Sequence, residues 1–247
     1  MDRMIWTAVS GMSASMARQR MIASNMANAQ TIGFRAEVMQ FTPMTLKGPS
    51  LEARALSDGA VRGASMAAGA MIRTGRPLDV AAQGEVMLAV QAADGSEAYT
   101  RRGDLAVSPN GVLVNGEGLP VLGEDGPIAV PPGSDASIAE DGAVLVHDRA
   151  NPEAPPQRIG QLKLASRSGS RVEKGLDGLF RVAGGGALPG DAAARLLTGT
   201  LEQSNVNPGQ VLVEMVEAQR LFDMRTKLVA TAKEIDEGGA SLMRING

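Results

Sequence analysis

The sequence predicts an α+β protein: an N-terminal and a C-terminal helix that pair as a coiled coil, around a central antiparallel β domain, barrel-like or a folded sheet. Three observations predict it. Eight of the fourteen methionines fall in the first 44 residues and three more in the last 40, so the ends and the middle differ in composition. Apolar residues near both ends recur at spacings of three and four. Between them that period disappears and Asn-Gly and Asp-Gly turns take over. The divisions that follow are 1–34 for the N-terminal helix, 35–74 for a linker or extended assembly segment, 75–199 for the β domain and 200–247 for the C-terminal helix.

Composition narrows the function classes. With no cysteine in 247 residues, there is no disulfide framework and no thiolate metal site. A single histidine, His147, removes multi-histidine chemistry and histidine-cluster metal sites. A net charge of −3 and a pI near 5.3 argue against nucleic acid as the partner. An apolar content of 44% suffices for a folded core.

The N-terminal helix is expected from Arg3 to about Asn28, with Asp2 as its N-cap and Gly33 beyond its end. Ile5, Val9, Met12, Met16, Gln19, Ala23 and Met26 trace a seam, apolar at all but Gln19. A helix of that span is roughly 40 Å long. Met4 to Ala17 carries no charge, and its other faces hold small residues such as Thr7, Ser10, Gly11 and Ala14. An ordinary surface helix places charges there; small neutral faces suit close approach by other helices. A cleaved signal peptide is a poor fit, because Asp2 cancels the charge of Arg3 and the seam continues through Met26. No segment has the roughly 18 apolar residues a bilayer span requires.

Asn207-Pro208 marks the start of the C-terminal helix, since proline's missing N–H costs nothing in a first turn. Leu221, Leu228, Ile235 and Leu242 recur every seven residues. Met215, Ala218, Phe222 and Val229 widen the stripe, and Arg225 interrupts it. Outside it lie charges such as Glu214, Glu217, Arg220 and Lys227.

In the middle, Asp94-Gly95, Asn110-Gly111, Asp125-Gly126 and Asp141-Gly142 punctuate short apolar runs. Strands are expected at Val86–Val90, Gly111–Val114, Ala143–Val146, Gln161–Ala165 and Gly178–Val182. Pro43 to Arg73, rich in Gly, Ala and Ser, shows no firm period and reads as a linker or an assembly-dependent extension.

Catalytic chemistry finds little purchase. Glu124-Asp125 and Glu140-Asp141 each adjoin a glycine and read as turn acids facing water, whereas acid–base catalysis needs carboxylates in contrasting environments at one cleft. Gly116-Glu117-Gly118 and Gly184–Gly186 lack the strand–loop–helix setting of a phosphate loop. No Ser elbow is present. No catalytic residue, cofactor or metal site is expected.

These parts carry a resemblance. Ile5, Ala8 and Gly11 after Met1-Asp2-Arg3, then Ala23-Ser24-Asn25-Met26-Ala27-Asn28 with Thr31, Gly33 and Phe34, resemble the Asn-rich opening of the axial proteins of the bacterial flagellar rod and hook. Ser24 stands where that family usually has Asn, and Met26 where it has Leu. Thr74-Gly75-Arg76-Pro77-Leu78-Asp79-Val80-Ala81-Ala82-Gln83-Gly84 and Ala98-Tyr99-Thr100-Arg101-Arg102-Gly103 are similar to the opening of its β domain, except that Glu85-Val86-Met87 replaces an aromatic pair. Glu202-Gln203-Ser204-Asn205-Val206-Asn207-Pro208 and Met215-Val216-Glu217-Ala218-Gln219-Arg220 resemble its C-terminal signature, with Gly209 an unusual follower of Pro208.

The resemblance implies a non-enzymatic subunit of the basal-body rod, the drive shaft that transmits torque across the periplasm, in its proximal segment or, alternatively, its distal one. It implies export by the flagellar type III apparatus without a cleaved signal, and partners that are other copies and related rod proteins, with no nucleic acid and no membrane span. Terminal helices in that family are often disordered until assembly. The assembly interface is then expected on Ile5, Val9, Met12, Met16, Ala23, Asn25, Met26 and Asn28 of the first helix. On the second it is expected on Met215, Ala218, Leu221, Phe222, Leu228, Val229, Ile235 and Leu242. A secreted coiled-coil binding module and a hydrolase using Asp125 or Asp141 are the competing classes.

Overall fold

The computed structural model describes residues 2–45, 55–151 and 153–245, with side chains described over 10–39, 63–151 and 153–231 and at five further positions near the C-terminus. The chain divides into two compact units. A helical unit takes Met1–Ala27, Glu37–Gly63 and Asn207–Gly247; a β unit takes Asn28–Ala36 and Ala64–Val206.

In the helical unit α1 spans Asp2–Ala27 and α2 spans Pro208–Ile245. Between them in sequence, β1 (Glu37–Thr45) and β2 (Ala55–Ala64) form a two-stranded sheet. The stretch read as linker is therefore strand on both sides of 46–54, which lies outside the described residues. A two-stranded ribbon is built from backbone hydrogen bonds and needs no strict alternation, so Gly- and Ala-rich Ala55–Ala64 gave no periodic signal.

In the β unit β3 (Met71–Arg73), β4 (Val80–Ala82), β5 (Val86–Gln91) and β6 (Glu97–Thr100) come first. A five-stranded antiparallel sheet runs in the order 164–166, β5, β6, 180–182, 172–174. A three-stranded antiparallel sheet joins Ser134–Ile138, Ala143–Asp148 and Gln157–Gln161. Strand Leu196–Thr198 pairs with β4, and after Gly199 strand Thr200–Glu202 pairs with β3. The region is antiparallel as the turns imply, but divided into several short ladders rather than one barrel or folded sheet. Turns every few residues keep each ladder short. In the Asp94-Gly95 turn, Gly95 at φ +82° donates to the Ala92 carbonyl, while an Asp94 carboxylate oxygen accepts from the Ser96 amide at 2.9 Å.

The core lies on both faces of β5. Val86, Leu88 and Val90 pack with Val80, Leu113 and Val144, while Met87 and Ala89 pack with Tyr99, Phe180 and Leu188. A strand buried on both faces reads as a continuous apolar run, as Val86–Val90 does. The Tyr99 hydroxyl donates to Glu97 Oε1 at 2.5 Å and accepts the Leu188 amide at 2.5 Å. Burial, then the Glu97 hydrogen bond, raises its ionisation well above the ordinary tyrosine range.

One charged cluster sits at the centre of the unit. Glu202, buried on the strand paired with β3, takes Arg35 at 2.8 Å on Oε1 and Arg101 at 2.7 Å on Oε2. Oε1 also accepts the Gly69 amide at 2.8 Å. Arg101 donates in addition to the carbonyls of Ala82 at 2.6 Å, Gly84 at 2.9 Å and Val86. Burial lowers the pKa of Arg35, with the charge on Glu202 opposing.

Replacing Tyr99 with Phe leaves the Leu188 amide unpaired and should cost about 1–2 kcal/mol at neutral pH, read by chemical denaturation. Because the fold favours the neutral phenol, its contribution is complete below the ordinary pKa of about 10 and is lost as pH rises above it. Tyr99→Phe should therefore also flatten the alkaline fall in stability. Glu202→Gln leaves two buried guanidinium groups without a counter-charge and should cost about 3–5 kcal/mol by the same measurement.

Candidate assembly interface

The helices carry the residues expected at the interface, and their ends are set locally. Asn207 Oδ1 accepts the amides of Gly209 at 3.0 Å and Gln210 at 3.2 Å, the N-cap that Asn207-Pro208 announced. Gly209 is held in the first turn by that bond, so the helix starts at Pro208 despite it. At the end of α1, Asn28 accepts from the Thr31 amide and hydroxyl, each at 3.1 Å, and Gly33 at φ +68° turns the chain away. Asn25, buried near the end of α1, brackets the start of β1: its Oδ1 accepts the Glu37 amide at 2.8 Å and its Nδ2 donates to the Glu37 carbonyl at 3.1 Å. Ser24 donates to the Glu37 carboxylate at 2.9 Å. Asn25 and Asn28 thus use their amides within this chain.

α1 and α2 run side by side and antiparallel. Gln19 donates to Gln219 at 3.4 Å, and further along Arg225 donates to the Gly11 carbonyl and the Ser15 hydroxyl. The residue that interrupts the apolar stripe in sequence is a polar contact between the helices. A Cβ on Gly11 would stand 3.7 Å from the Arg225 guanidinium, an ordinary van der Waals contact. The face of α1 buried in this chain holds Ser15, Met21, Ile22 and Asn25. It is offset from the seam: Met12 and Met26 are half-buried, and Met16 and Ala23 are exposed. The side chains of Ile5, Val9 and Leu242 lie outside those described.

On α2 the stripe splits. Ala218 is buried and Leu221, Phe222 and Val229 are half-buried. Met215, Leu228 and Ile235 are exposed, the last two at 66% and 59%. Leu212, Val213, Val216 and Met224, which the seven-residue spacing does not single out, are exposed as well. Exposed apolar side chains thus recur along the described part of α2.

The acids considered for catalysis are placed differently. Glu124, Asp125, Glu140 and Asp141 are exposed on turns, and Asp141 Oδ1 accepts the Ala143 amide at 3.0 Å. Glu124 and Asp141 do line one cleft of about 300 Å³ with Asp191 and Lys163, a grouping that sequence spacing could not show. Lys163 is engaged there by Glu97 at 2.7 Å. Among the described residues no three His, Asp or Glu side chains are placed to hold a metal ion, and no helix is long and apolar enough to cross a membrane. His147 is exposed.

Comparison with known proteins matches these parts to flagellar families. The flagella basal body rod protein family matches residues 5–35, the flagellar hook protein FlgE/F/G D1 domain residues 81–146, and the flagellar basal body rod FlgEFG protein C-terminal region residues 197–242. The chain is 41% identical over 240 residues to the flagellar basal-body rod protein FlgF of Escherichia coli, covering 95% of each. It is 40% identical to FlgF of Salmonella typhimurium, covering 98% of each, and 30% identical to FlgG of Bacillus subtilis over 99% of this chain and 100% of that one. The chain belongs to the flagellar basal-body rod protein family. As a rod protein its place is the basal body of the flagellum, and its work is structural: it is a subunit of the shaft that transmits torque. The two outer family matches cover most of α1 and α2, and the inner one lies within the β unit, from β4 to the strand Ala143–Asp148.

Arg225→Ala removes one of the polar contacts between the helices and leaves the buried Ser15 hydroxyl without its partner. It should cost about 1–2 kcal/mol of local stability, read as a roughly tenfold rise in amide exchange in α1.

Proposed function

We propose that this subunit builds the proximal part of the rod by packing α1 and α2 against the same helices of neighbouring copies and of related rod proteins. The exposed apolar side chains of α2, Met215, Leu228 and Ile235 among them, are the observation that carries this reading. Each such side chain contributes about 1.5–3 kcal/mol when a neighbour removes it from water. In this reading α1 and α2 form one layer of a coiled coil, and methionines adapt the seam to inequivalent neighbours. Contacts of this kind are heterologous and propagate into a tube instead of closing. The chain acts without catalysis and reaches the rod through the flagellar export apparatus. Its turn acids serve as turn caps, as Asp141 does toward Ala143.

The test replaces Met215, Leu228 and Ile235 together with serine. The main melting transition should stay within a few degrees of the parent, because these side chains are already in water. Recovery of the subunit in isolated basal bodies should fall at least tenfold. Normal recovery would overturn the reading.

A further inference from the structure

The segment Thr31–Ala36 lies in the β unit in the manner of a bound peptide. It enters from α1 and leaves into β1, both of the helical unit, so continuity of chain does not hold it in place. Contacts do. The Gly33 amide donates to the Glu202 carbonyl at 2.7 Å, the Asn205 amide to the Phe34 carbonyl at 3.3 Å, and the Ser65 amide to the Ala36 carbonyl at 2.7 Å. The Ala36 amide donates to Asn205 Oδ1 at 2.7 Å. Two side chains anchor the arm: Arg35 on Glu202 at 2.8 Å, and Phe34 beneath Lys174, whose Nζ stands 3.5 Å from the ring centroid and donates to the Arg35 carbonyl at 3.0 Å. Such alternation of main-chain bonds with side-chain anchors is how extended peptides are recognised.

The residues of the groove are also bonded to one another. Glu202 holds Arg101 on Oε2 and the Gly69 amide on Oε1. Arg101 holds the carbonyls of Ala82, Gly84 and Val86. Asn205 Nδ2 is bonded to the Ser65 and Ala67 carbonyls at 2.9 and 2.8 Å. The groove is also selective. A Cβ on Gly33 would lie 2.5 Å from the Arg101–Arg102 backbone, at a φ of +68° that side chains rarely adopt.

We infer that this groove is a peptide-binding site for the Gly-Phe-Arg arm and that it accepts the arm of a second copy of this chain as well as its own. The inference does not depend on the assembly reading of α2. Because a tethered arm competes at millimolar effective concentration, the test uses the full chain with its own arm disabled by Gly33→Ala and Arg35→Ala. A fluorescent peptide of residues 28–37 should bind it saturably by anisotropy, and peptides carrying Gly33→Ala or Arg35→Ala at least tenfold more weakly. Equal binding by all three peptides, or none to a variant whose circular dichroism matches the parent, would overturn the proposal. If the variant does not fold, hydrogen exchange on the parent chain decides. The Gly33 and Ala36 amides should exchange at least tenfold faster than those of β5, through opening of the arm alone; exchange only together with β5 would overturn it.

Discussion

The carboxylate of Glu202 is the point on which the β unit depends. A buried charge is tolerated only when counter-charge and hydrogen bonds replace the water it has lost. Glu202 meets that demand from three distant stretches of chain, through Arg35, Arg101 and the Gly69 amide. Each partner does a second task. Arg101 gathers the carbonyls that end β4 and start β5, and Arg35 brings in the arm between α1 and β1. The arm, the strand following Gly199 and the first strands of the sheet therefore close around one group.

This arrangement suits a subunit that must carry load. The core around β5 is made of small and medium aliphatic side chains with Tyr99 and Phe180 as its only fully or nearly buried aromatics among the described residues. Such a core supplies apolar burial but little directionality. Specificity of register falls instead to polar groups with fixed geometry, the Glu202 cluster and the Tyr99 hydroxyl between Glu97 and Leu188. The helical unit uses the same device at smaller scale: Asn25 brackets Glu37, and Arg225 reaches Gly11 and Ser15 across the helix pair. Exposed apolar side chains of α2 are left over from these contacts.

Residue by residue, legibility followed the range of the interaction. The Asn207 cap, the stop near Gly33, the Asp-Gly turns and the run of β5 were all readable, because each is decided within a few residues. The β1–β2 ribbon was missed because its pairing partners stand across 46–54 and its composition carries no period. The apolar stripe of α2 was readable as a stripe. Which of its members face α1 was not: Arg225 interrupts the pattern in sequence yet lies on the contacting side, since a guanidinium that reaches a carbonyl and a hydroxyl can replace an apolar residue there.

What the sequence by itself determined was the kind of protein: two apolar-striped helices, a turn-rich antiparallel middle, and motifs specific enough to indicate the flagellar rod family. Local propensity and pattern encode those features, and they survive without knowledge of any long-range contact. Only the tertiary structure decided that Arg101 and Glu202, each inside a recognisable motif, and Arg35, which follows one, form one buried cluster. Only there, too, did the segment Thr31–Ala36 become a ligand of the β unit and Met16, Leu228 and Ile235 become surface. Burial and charge pairing are properties of position in space, and residues 101 apart in sequence carry no local signal that they will meet.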